Sequence, residues 1–145
     1  MLTENLWGSK VFLGVSLVVS SSVVLGQTVD ICSRLPGTAC SGVNAWIITG
    51  GAVSAAYFAV LSILWILMDN PFVVPGALEL LGGIFFVCWW SAVVAVLSTI
   101  TYNFNPLEQG FGFLSLFLTI AITVLASFAA APEEKAKRFA SEISD

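Results

Sequence analysis

The sequence predicts an all-α integral membrane protein, a four-helix up-down bundle with short loops. Two observations carry that prediction. Apolar residues make up 58% of the 145-residue chain and charged residues only 10%, with a mean hydropathy of +0.98. A soluble domain carries roughly 45–50% apolar and about 25% charged residues. The charges also cluster, leaving residues 11–29, 35–68, 80–107 and 109–132 with none. A helix rising about 1.5 Å per residue crosses a hydrocarbon core of about 30 Å in about 20 residues. Sheets do not fit. Lipid leaves the edges of an open sheet unsatisfied, and barrel strands need an alternation that Val93–Leu97 lacks.

The elements follow in order. The first span, about 11–29, starts after Lys10. With Val24-x-Gly26 near its end it also has the outline of a signal peptide, and retention as a first transmembrane helix is the expected outcome. Pro36-Gly37 breaks the loop before the second span, about 43–68, and Asn70-Pro71 follows it. The third, about 76–100, opens at Pro75-Gly76 and gives way to Asn103-Phe104-Asn105-Pro106. The fourth, about 110–131, ends at Pro132, a residue suited to the first position of a separate tail helix. This divides the chain into an N-terminus of 1–10, a four-span domain of 11–131 and an amphipathic tail of 132–145. Short loops make successive helices antiparallel neighbours.

Lys10, Lys135, Lys137 and Arg138 fall on one side of these spans and Arg34 alone on the other. The excess of basic residues puts both termini in the cytoplasm and the 30–42 and 101–109 loops in a lumen or outside. The organelle is left open. With no histidine and a net charge of −4, neither a basic nucleic-acid surface nor His-based catalysis can be built. No catalytic residue, metal site or cofactor is therefore expected, and haem lacks its usual axial ligand.

What remains are candidate contact residues. Gly14, Ser22 and Gly26, then Gly51, Ala55 and Ala59, then Ser91, Ala95 and Thr99 recur at intervals of four or eight residues. Small side chains let membrane helices approach closely. They serve either packing inside the bundle or a surface for oligomers and partners. Cys32 and Cys40 share a short turn-containing loop and are expected to form a disulfide, free thiols being the alternative. Cys88, deep in the third span, is expected to be a small apolar filler.

Glu79 is the one ionisable side chain placed inside a span. An interfacial, capping or inter-helix bonding role is expected rather than proton transfer, for which the other spans supply no acids or bases. Trp7, Trp46 and Trp65 lie near the expected membrane interfaces. Trp89 and Trp90 sit near mid-membrane, suited to core packing or contact with a flat lipid. In the tail, Ala136, Phe139, Ala140 and Ile143 share a helical face. A short surface helix anchored by Phe139 is expected there.

The arrangement resembles the MARVEL-domain tetraspan proteins, most closely the synaptogyrin and synaptophysin branch. The resemblance rests on Cys32 and Ala39-Cys40-Ser41-Gly42-Val43 entering the second span, and on Glu79 followed by Phe85-Phe86 and Trp89-Trp90. Gly110-Phe111-Gly112-Phe113-Leu114-Ser115-Leu116-Phe117 opening the fourth span completes it. It covers roughly residues 10–131. Unlike that branch, the chain has no cysteine in 101–109 and no tyrosine-rich tail. The resemblance implies a non-enzymatic organiser of membrane domains or vesicle membranes. Its expected partners are membrane lipids, other integral membrane proteins or further copies of itself. The rival reading is a small accessory subunit of a large energy-converting or transport complex.

Overall fold

The structure, a computed structural model, describes residues 2–34, 42–70, 74–99 and 106–144, and side chains within them except at 2–4, 99, 106 and 129–137. These residues form four helices: α1 (Leu2–Arg34), α2 (Val43–Met68), α3 (Gly76–Thr99) and α4 (Pro106–Ser144). Each contains a stretch long and apolar enough to cross a membrane: Asn5–Arg34, Val43–Met68, Gly76–Ser98 and Leu107–Phe128. The described chain is thus that of a multi-pass membrane protein.

Local chemistry sets the visible helix ends. Gly42, at φ 66°, supplies the left-handed turn from which α2 starts, and its carbonyl accepts from the Trp46 amide at 3.1 Å. Asp69 ends α2 in the left-handed conformation, at φ 47°. The Pro75 carbonyl accepts from the amides of Leu78 and Glu79, which winds the first turn of α3. α4 corrects one expectation. No break separates a tail helix from the fourth span, because the helix runs on through Pro132 to Ser144. Proline forfeits one backbone hydrogen bond there.

Burial follows a spacing of three and four residues on every helix. The buried positions on that spacing are 10, 14, 17, 21, 24 and 28 in α1, with 20 beside them, and 47, 51, 54, 58, 61 and 65 in α2, with 50 and 62 beside them. They are 76, 79, 83, 86, 90 and 93 in α3, with 94 beside them, and 108, 112, 115, 119, 122 and 126 in α4. This is the seam of helices packing knobs into holes. Contacts between neighbours run in opposite chain directions. Gly14 meets Ser62 while Gly51 meets Leu25, and Ser20 meets Ser115 while Thr28 meets Glu108.

α1 packs closely on α2 and on α4, and α3 on α4. Between α2 and α3 the backbones stand farther apart, and large rings fill the gap. Trp46 stacks on Trp89 with centroids 5.0 Å apart, and Phe86 meets Tyr57 at 5.0 Å and Phe58 at 5.3 Å. The Trp89 indole lies over Gly50, so a β-carbon there would overlap the ring. Gly50→Ala is therefore expected to lower the unfolding midpoint in detergent, at a cost of about 1–3 kcal/mol typical of overpacking. Gly26, with open space around its α-carbon, is the control, and Gly26→Ala should leave that midpoint unchanged. Equal effects of the two substitutions would contradict this seam.

Candidate functional site

The polar chemistry of this chain lies inside the bundle, in layers. At one end sit Lys10 and Glu79, only 1% and 2% exposed. The Lys10 Nζ lies 2.9 Å from Glu79 Oε1 and 3.0 Å from Oε2, the second contact having hydrogen-bond geometry. The same ammonium stands 5.4 Å from the Trp65 ring centroid, within cation–π range. Trp7 Nε1 donates to the Trp65 carbonyl at 2.7 Å, satisfying a group in the last turn of α2. Helix dipoles reinforce the pair, since Glu79 occupies the first turn of α3 and Lys10 adjoins the carbonyl end of α2.

Lys10 corrects the sequence reading, which left it outside the first span as a cytoplasmic charge. Bonded to Glu79, it becomes part of a neutral unit that the bundle interior accepts. The contact joins Glu79 on α3 to Lys10 on α1.

The middle layer gathers serines. Ser20 and Ser115 share a hydrogen bond of 2.8 Å between α1 and α4, and Ser21 and Ser54 one of 3.3 Å between α1 and α2. Trp90 Nε1 donates to Ser54 at 3.1 Å, bringing in α3. All five side chains are buried.

At the far end, Thr28 and Glu108 meet at 2.6 Å, and Glu108 is 4% exposed. This is a second correction. Glu108 belongs to the buried face of α4 rather than to the loop of 101–109, so Glu79 is not the sole intramembrane acid. The signal was present in the sequence: Glu108, Ser115 and Ile122 stand seven residues apart on one face of α4.

Mainly apolar side chains, together with the buried hydroxyls of Ser62 and Thr119, lie between these polar layers. Leu17, Phe58 and Phe86 lie between the ion pair and the serines, and Val24 and Val93 between the serines and Glu108. From Lys10 to Thr28 the helix axis advances about 27 Å. The polar contacts between helices are thus spread along that length.

The other expected residues divide. Gly14 packs on Ser62 and Trp65, and Gly51 on Leu25 and Ser21. Ala55 and Ala59 are half-buried, while Ser22, Gly26, Ser91 and Ala95 face outward, and the Thr99 side chain lies outside the described residues. Trp65 and Trp90 are fully buried, so Trp65 is a core residue and not part of an interfacial belt. Trp7, Trp46 and Trp89 are half-buried. Cys88 is an exposed free thiol on the outer face of α3, against the expectation of a core filler. Cys32 ends α1 and is engaged by a partner, while Cys40 lies outside the described residues. Phe139 and Ile143, near the end of α4, are 66% and 70% exposed.

Among the described residues, no three His, Cys, Asp or Glu side chains gather as a metal site. Comparisons with protein-family models, with curated proteins and with solved structures gave no match.

Proposed function

We propose that this chain is a non-enzymatic tetraspan membrane protein that organises membrane domains or vesicle membranes through helix–helix and lipid contacts. The observation that carries this reading is the layered core. An ion pair, a serine cluster and a Thr–Glu contact join the helices from within, spaced along the bundle by apolar side chains such as Leu17, Phe58, Val24 and Val93. The chemistry it offers to its surroundings is on the outside, where Phe12, Leu67, Leu81, Phe117 and Phe128 are exposed to lipid or to another helix. The proposal includes the up-down order of the four helices with both termini cytoplasmic, and kinship with the MARVEL-domain group.

A second reading, an accessory subunit of a large membrane complex, draws on the tail. Beyond Phe128 the helix continues for about 24 Å and leaves Phe139 and Ile143 exposed. That is a face for a partner or for the membrane surface. Purification in mild detergent with mass spectrometry separates the two readings. Homo-oligomers carrying lipid support the organiser, and one large stoichiometric complex supports the subunit. Proton or ion flux through the protein in liposomes would overturn both.

The proposed topology carries a Cys32–Cys40 disulfide on the non-cytoplasmic side. A thiol reagent applied to unreduced, denatured protein is expected to label Cys88 alone. Labelling of all three cysteines would remove the bond and count against that topology. A loop of this length closed by a disulfide is worth about 2–3 kcal/mol, so reduction should lower the unfolding midpoint measurably.

A further inference from the structure

We infer that Ser141 is a phosphorylation site for a cytoplasmic serine kinase that reads an arginine three residues before its acceptor. The inference rests on the proposed cytoplasmic placement of the C-terminus. Kinases select substrates by the pattern of charge around the acceptor hydroxyl. Lys135, Lys137 and Arg138 precede Ser141, with Arg138 three positions before it, and Glu142 and Asp145 follow. No other serine or threonine in the chain has a lysine or arginine at that distance on its N-terminal side. Ser20, Ser21, Ser54, Thr28 and Ser115 are moreover buried in the bundle, out of reach of any enzyme.

The fold gives access to it. Every side chain from Arg138 to Ser144 is exposed. The apolar span ends at Phe128, and Ser141 lies about 20 Å farther along the helix axis. That exceeds the depth of a headgroup layer, about 5–8 Å. A kinase takes its acceptor in an extended segment, and the last turn of α4 is easily opened. Its carbonyls lie at the helix end, where the backbone ladder stops. The Ser141 hydroxyl donates to the Arg138 carbonyl at 2.9 Å, and the Ser144 hydroxyl to the Ser141 carbonyl at 3.0 Å. Both are exposed local bonds that water replaces. In the transfer, Ser141 Oγ attacks the γ-phosphorus of ATP. The new Oγ–P bond replaces the bond from that phosphorus to the oxygen of the ADP leaving group. The hydroxyl proton goes to the catalytic aspartate of the kinase. The phosphate brings about −1.5 to −2 charges to the negative end of the helix dipole, beside Glu142. Ser141 is about 200° around the helix from Phe139 and from Ile143. The phosphate therefore leaves that apolar face uncovered and acts by loosening the turn that carries Ile143.

The test uses the full chain in nanodiscs, where both faces are open, with calcium/calmodulin-dependent protein kinase II and ATP. Mass spectrometry of the digested protein is expected to find a phosphate on Ser141, absent in Ser141→Ala. Arg138→Ala should lower kcat/KM about tenfold or more, the worth of a hydrogen bond to a charged group. Both variants lie on the exposed end of α4, so the bundle is expected to fold in each. No phosphate on Ser141, or an unchanged kcat/KM in Arg138→Ala, overturns the assignment. Sealed microsomes with the cytoplasmic face outward separate the site from the topology. Phosphate on Ser141 in nanodiscs but none in those microsomes would overturn the cytoplasmic tail, and with it the cytoplasmic kinase.

Discussion

Lys10→Met is expected to be among the most destabilising single substitutions in the chain. It leaves the Glu79 carboxylate, 2% exposed, without its ammonium, and removing one partner of a buried pair costs about 3–5 kcal/mol. The double variant Lys10→Met with Glu79→Leu should recover most of the loss, because both charges go together and apolar replacements suit the layer. A thermal unfolding series in detergent, wild type against both singles and the double, measures this. If the double variant were no more stable than Lys10→Met, the coupling between the two groups would be absent. The swap of Lys10→Glu with Glu79→Lys should recover less, since each charge would then face the unfavourable end of a helix dipole.

Trp90→Ala is the second large effect. Trp90 is fully buried, packs in the core with Phe86 and Val93, and donates to Ser54. Truncation opens a cavity and frees the Ser54 hydroxyl from its donor. Buried Trp or Phe to Ala changes cost about 3–5 kcal/mol, and a bilayer places the loss near the lower end, since lipid solvates the wild-type indole when the helices separate. Trp90→Phe keeps most of the volume and gives up the hydrogen bond, a loss of about 1 kcal/mol. The difference between the two substitutions measures packing alone. A Trp90→Ala protein with wild-type stability would show that the middle layer does not hold the bundle together.

The helical class and the four spans were legible because charge depletion and length leave lipid-crossing helices as the remaining solution. The interior was less legible, and Lys10 shows why. Charge counting treats every ionisable residue as a boundary, yet Lys10 and Glu79, 69 residues apart, cancel each other in space. No local window contains both. Glu108 failed for the same reason, its companion Thr28 standing 80 residues away on another helix. The small residues failed differently. An interval of four drifts around a helix, so a stripe that starts at the buried Gly14 ends at the exposed Gly26. The alternation of three and four keeps Gly14, Ser21 and Thr28 on the seam. Pro132 was read as a stop, although a helix can absorb a proline at the expense of one hydrogen bond.

The placement of the polar partners also bears on biogenesis. A ribosome delivers α1 first, and Lys10 then waits for Glu79 until α3 has been made. Ser20 and Thr28 wait longer still, for Ser115 and Glu108 on the last helix. An unpaired ammonium favours the headgroup region over hydrocarbon. The nascent first helix is therefore expected to rest with Lys10 near the headgroups until the third helix arrives with Glu79.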